Sequence, residues 1–194
     1  MGATAHRDRL AETGFSASRL ERVFNDCFAS DFRTLLSGGA AEPIYQPAAS
    51  PGQFHALRYR EDFFASALHE AAHWCIAGEK RRQEVDFGYW YVPDGRDPAQ
   101  QAAFEAVEDK PQALEWFFSQ ACAYRFKLST DNLAAFNGEL PDDRVFRRRV
   151  CERALHWQQV GLPARADRFY GALCEEFGTG LAIEQLNFSE ALLL

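Results

Sequence analysis

The chain has 194 residues, 47% of them hydrophobic and 25% charged, a size and balance that fit one globular domain and exclude a disordered or fibrous protein. Its 21 basic and 28 acidic residues leave a net charge of −7, which argues against a protein that coats nucleic acid. No apolar run approaches the ~20 residues of a membrane span, and the opening MGATAHRDRL lacks the apolar core of a secretory signal, so a cytoplasmic protein is expected.

A single domain is expected over 1–194, with about the first 15 residues frayed, as termini often are. Ser18 to Leu36 predicts an amphipathic helix: Ser18 and Glu21 form a capping box, and Leu20, Val23, Phe24, Cys27 and Phe28 recur at helical spacing. Gly38-Gly39 ends it. Pro43 to Gly52 carries three prolines and reads as loop or short edge strand. His55 to Arg60 alternates as a short strand. From Phe63 to Ala77 the residues Phe64, Ala67, Leu68, Ala71 and Cys75 share one helical face, and Gly78 supplies the stop.

Glu84 to Val92 reads as an aromatic strand, with Phe87, Tyr89 and Tyr91 on one face and Trp90 and Val92 on the other; Pro93-Asp94-Gly95 then turns. Pro98 to Tyr124 is helical, with a boundary expected at Lys110-Pro111. Two more helices follow, Asp142 to Val160 and Pro163 to Phe177, closed by Gly161 and Gly178. The expected fold is α+β, helix-rich, with a small sheet and the central helix packed against it. The five cysteines form no CxxC pair and read as buried free thiols.

One motif carries chemistry: His69-Glu70-Ala71-Ala72-His73, an HExxH inside the helix from Phe63 to Ala77. Residues four apart on a helix are neighbours, so two imidazoles can grip one metal ion, and Glu70 sits where a general base for a metal-bound water would. Chance supplies such a match in about one random chain in a hundred of this composition. A third ligand is needed. His6 lies in the frayed terminus, and His55 and His156 lack partners at any recognisable spacing and read as structural. Glu105, Glu108, Asp109 and Glu115 lie on the following helical stretch. Glu108, just before Pro111, is the favoured ligand and Glu105 the alternative; Asp109 and Glu115 read as solvated or helix-terminal charges. Two histidines and a carboxylate serve a zinc hydrolase or an iron oxygenase equally, and the bare motif favours a zinc-dependent metallopeptidase.

The run FFASALHEAAHWCIAGEKRRQEVDFGYWYVPDGRD, continued by FEAVEDKPQALEW, resembles the elongation factor P hydroxylase family of bacteria. So do EPIYQPA from Glu42, the DNL at Asp131 to Leu133 and DRVFRRRV from Asp143. The resemblance implies a non-haem iron hydroxylase that uses molecular oxygen. It would add a hydroxyl group to the lysine of elongation factor P after that lysine carries a β-lysyl extension. It also implies Fe(II) on His69, His73 and Glu108, with zinc as the alternative metal. 2-Oxoglutarate is not among the expected cosubstrates, and neither nucleic acid nor a membrane is required. A lysyl-lysine arm is long and cationic, so Asp94 and Asp97 are candidates for its ammonium and Tyr89, Tyr91 or Trp90 for its stem or charge. The plain alternative is turn formers and core aromatics. The basic run Arg144, Arg147, Arg148 and Arg149 reads as a solvated helix face.

Overall fold

A computed structural model describes residues 14–86, 95–132 and 142–193. Among these residues the order is α1 (Ala17–Phe32), β1 (Thr34–Ala40), β2 (Ile44–Gln46), β3 (His55–Arg60), α2 (Phe64–Ile76), α3 (Pro98–Ala121), α4 (Arg144–Val160) and α5 (Ala164–Phe177). Short 3-10 turns follow α2 and α5. The helices dominate and the strands fall in the first half, so the α+β expectation holds. The sheet has the order β1-β3-β2, with β3 parallel to β1 and antiparallel to β2. Leu36 and Tyr45 both register with Leu57, and all three are buried. α2 packs on β3 and, across from it, on α3. The outer edge of β2 is met by Asp86, which exchanges two backbone hydrogen bonds with Tyr45. Of the strand expected over Glu84 to Val92, Glu84 and Val85 are not in a strand and Asp86 forms an isolated bridge; Phe87, Tyr89, Trp90, Tyr91, Val92 and Asp94 lie outside the described residues.

The first helix ends four residues earlier than its apolar spacing suggests. Leu35 and Leu36 continue the helical period, but they are claimed by β1, where they pair with Ala56 and Leu57. Arg33, left-handed at φ 49°, makes the reversal. The capping box of Ser18 and Glu21 does not form. Ser16 is the N-cap, and the Glu21 carboxylate reaches the sheet instead, accepting from Gly38 N at 2.7 Å and Tyr59 OH at 3.0 Å. Gly38-Gly39 is thus not a helix stop but a bulge in β1, where the register with β3 shifts between Ser37 and Ala40.

α3 is a single helix of 24 residues that runs through Pro111, so the expected boundary at Lys110-Pro111 is absent. An interior proline costs about 3 kcal/mol by removing a hydrogen bond. Burial on both sides of it outweighs that cost: Phe104 and Glu108 before it and Ala113 to Phe118 after it are enclosed by α2, α4 and α5. At its start, Asp97 accepts from Gln100 N at 2.8 Å while the Gln100 side chain accepts from Asp97 N at 3.0 Å, and Pro98 fills the first helical position.

The core centres on aromatic side chains from three helices. Trp74 of α2 meets Phe24 and Phe28 of α1 at 5.0 and 4.7 Å between ring centroids, and Phe169 of α5 meets Phe24 at 5.7 Å. Each such pair contributes about 0.5–1.5 kcal/mol beyond its buried area, which fixes α2 against the helical layer. All five cysteines are buried and unpaired with one another, as their spacing suggested. On α4, Arg144 pairs with Asp142 and Arg147 with Asp143, while Arg148 and Arg149 are exposed.

His55 is structural, as expected, and its Nδ1 accepts from Ala48 N at 2.9 Å. Burial, reinforced by the charges of Arg33 and Arg82, lowers its pKa below the usual imidazole value. The unfolded chain therefore takes up this proton first, so the stabilising effect is complete above about pH 6.5 and is lost as pH falls below it. Thermal unfolding followed between pH 7.5 and 5.5 should show a shallower decline in His55→Asn, whose amide oxygen replaces Nδ1, by up to about 1 kcal/mol for one hydrogen bond. An identical slope in both proteins would contradict this role.

Candidate metal centre

α2 forms because its small and apolar residues, Ala67, Leu68, Ala71, Ala72 and Cys75, give one continuous buried face. His69 and His73, one turn apart, project from its side toward α3. Their Nε2 atoms are 3.0 Å apart. Glu108, fully buried on α3, brings Oε1 to 3.2 Å from His73 Nε2 and Oε2 to 3.6 Å from His69 Nε2. These three residues are the one His/Cys/Asp/Glu group able to hold a metal ion among the described residues. Ligands about 2.0–2.2 Å from one ion stand roughly 3.0–3.5 Å from each other, and the observed separations match. Both Glu108 oxygens are buried without a hydrogen bond, an arrangement that would be costly unless a cation completed it. The donor set suits ferrous iron and zinc alike.

A fourth residue orients the first ligand. Glu115, two helical turns beyond Glu108, places Oε2 at 2.8 Å from His69 Nδ1. With a carboxylate as acceptor, Nδ1 carries the hydrogen and Nε2 presents its lone pair to the cluster. The reading of Glu115 as a solvated or terminal charge is therefore corrected: it is buried and bonded to the site. Burial opposes charge on His69, but Glu115, Glu108 and Glu70 together raise its pKa to about 10. Burial likewise works to raise Glu108, yet the His73 and His69 charges hold its pKa down to about 2. Before a metal binds, the proton on the His69 imidazole offsets part of the charge of these carboxylates.

Glu115→Ala should weaken metal binding about 10–100-fold, the usual effect of losing a ligand's orienting partner. Glu115→Gln should recover part of it, because the amide oxygen still accepts from Nδ1. Titration with a metal-competing chelator reads both; equal affinities for wild type and Glu115→Ala would remove the orienting role.

The other candidates are placed differently. Glu105 is buried but turned to Gln101, whose Nε2 donates to it at 3.1 Å. Asp109 faces Arg153 at 3.5 Å. Asp97 is occupied as the α3 N-cap, eleven residues and about 16 Å of helix axis from Glu108. Asp94 and Tyr89 are outside the described residues. Glu70 is buried and belongs not to the ligand cluster but to an adjoining cleft, with His73, Tyr45, Leu57, Trp74, Arg81 and Asp86. Burial raises its carboxyl against the lowering charges of His69 and His73. His156 is exposed.

Residues 23–188 match the family model described as elongation factor P hydroxylase. A curated relative from Haemophilus influenzae, elongation factor P lysine hydroxylase, is 44% identical over 157 residues, covering 81% of this chain and 86% of the relative.

Proposed function

Because the chain belongs to the elongation factor P hydroxylase family, we propose that it is an enzyme that hydroxylates a lysine side chain of elongation factor P. The substrate in this reading is the lysine extended by a β-lysyl group, and the whole of 1–194 acts as one cytoplasmic domain. The observation that carries the mechanism is the cluster of His69, His73 and Glu108, three donor atoms within 4.8 Å of one another, fewer than the positions a ferrous ion offers. Fe(II) held by these residues would supply the activation of molecular oxygen, one atom entering the C–H bond and the other leaving as water with two electrons from an external reductant.

The chain's own residues supply the rest. Glu115 fixes the His69 ring so that Nε2 faces the cluster. Glu108, enclosed by α2 and α3, keeps water from its oxygens and carries the charge that holds a dication. The aromatic packing around Trp74 keeps α2 in place, so that the two imidazoles keep their separation. Hydroxylation at a carbon needs no side chain to deprotonate a water, unlike the hydrolase alternative, in which Glu70 would be indispensable.

The test is intact-mass and fragment analysis of elongation factor P, with and without the β-lysyl extension, after incubation with enzyme, reductant, air and either ferrous iron or zinc. A gain of one oxygen on the extended lysine, with iron only, is expected. No gain with iron, together with cleavage of an unfolded protein under zinc, would overturn the reading.

A further inference from the structure

We propose that Glu70 is the residue that receives the ammonium at the end of the substrate arm, and so selects a cationic side chain, instead of acting as a proton acceptor. This rests on the hydroxylase reading above.

Glu70 is only 6% exposed, and among the described residues its side chain has no hydrogen bond or salt bridge. It lies three residues before His73 on α2, hence on the same side of the helix, and both residues line the cleft. The cleft's other charges are engaged. Arg81 pairs with Asp86, and Arg82 donates to the Ala77 carbonyl at the end of α2 at 2.9 Å. Leu57, Trp74 and Tyr45 supply an apolar wall suited to a methylene stem.

The burial of Glu70 points the same way. A buried carboxylate is costly unless a cation meets it. A bound ammonium is that cation. Because Glu70 and His73 neighbour each other, an arm anchored at Glu70 passes its carbons beside the candidate ligands, which fixes which C–H bond is presented to the metal.

The experiment measures equilibrium binding of extended elongation factor P to metal-loaded enzyme without oxygen, by calorimetry, alongside hydroxylation in air. The second substrate carries the same extension with its amines acetylated, so that length is kept and charge removed. The wild type should bind the acetylated form at least tenfold more weakly than the cationic one. Glu70→Gln should keep full metal content, lose at least tenfold in affinity for the cationic form, and no longer discriminate; Glu70→Asp should retain part of the discrimination. KM should rise in Glu70→Gln with kcat changed far less. Equal affinities of wild type and Glu70→Gln for the cationic form would overturn the assignment, as would a loss confined to kcat and equal for both substrates. Tight, charge-dependent binding by a wild type that adds no oxygen would instead overturn the hydroxylase reading and leave the Glu70 assignment standing.

Discussion

Glu108→Ala is expected to strip the protein of metal and lower hydroxylation by well over 100-fold, beyond the 10–100-fold of an outer residue such as Glu115. Three donors at 3.0–3.6 Å form the cluster, and the one anion among them carries the charge attraction for a dication. Two imidazoles alone hold metal weakly. The fold should survive, because the aromatic packing of α1, α2 and α5 holds α2 in place independently of this carboxylate. Circular dichroism of Glu108→Ala should therefore match wild type, while the thermal stabilisation that metal confers on wild type disappears. His69→Ala and His73→Ala should behave alike, and Glu105→Ala should keep its metal. Full metal occupancy in Glu108→Ala with loss in Glu105→Ala would reassign the third ligand.

Gly38→Ala should cost about 2–4 kcal/mol, lowering Tm by roughly 5–15 °C in a chain of this size. A Cβ at this position would stand 2.5 Å from the Glu61 carbonyl oxygen and 2.8 Å from the Tyr59 ring. The first is backbone and cannot swing aside, and the second is buried and tied to Glu21. Relief requires opening the β1–β3 bulge, which would also break the Gly38 N to Glu21 bond. Gly39→Ala is the control: it meets nothing within 4 Å, and only its φ of +86° is strained, worth about 1–2 kcal/mol. Chemical denaturation of the two variants ranks them, and a Gly38→Ala protein as stable as Gly39→Ala would refute the close approach.

The HExxH helix was legible because two independent patterns coincide on it: apolar residues at helical spacing and a histidine pair four apart. β3 was legible from its alternation. The end of α1 was not, because Leu35 and Leu36 satisfy a helical period and a strand equally, and pairing with β3 decides between them. Pro111 misled for the opposite reason: a strong local breaker is overruled by burial along both halves of α3. Glu115 shows the limit most clearly. Gln101, Glu105, Glu108, Gln112, Glu115 and Ser119 alternate at steps of four and three along α3, a polar stripe that normally faces water. Here all six are buried. Gln112 grips Ser129 through two hydrogen bonds, Gln101 and Glu105 bond to each other, and Glu108 and Glu115 meet the histidines. Periodicity gives the face of a helix, but which medium covers that face is set by the neighbouring elements. The seven-residue step from Glu108 to Glu115, opposite a histidine pair, was the signal for a second carboxylate at the site.

The burial of the cysteines bears on durability. Sulfur is the side-chain element most readily oxidised, and a thiol reacts as its thiolate. All five thiols are enclosed, burial pushes those of Cys27, Cys75, Cys122 and Cys151 up, and the sequence contains a single methionine. In the proposed reaction, oxidants released by an abortive turnover would thus meet little reactive sulfur, and wear over many cycles should register first at the imidazoles of His69 and His73.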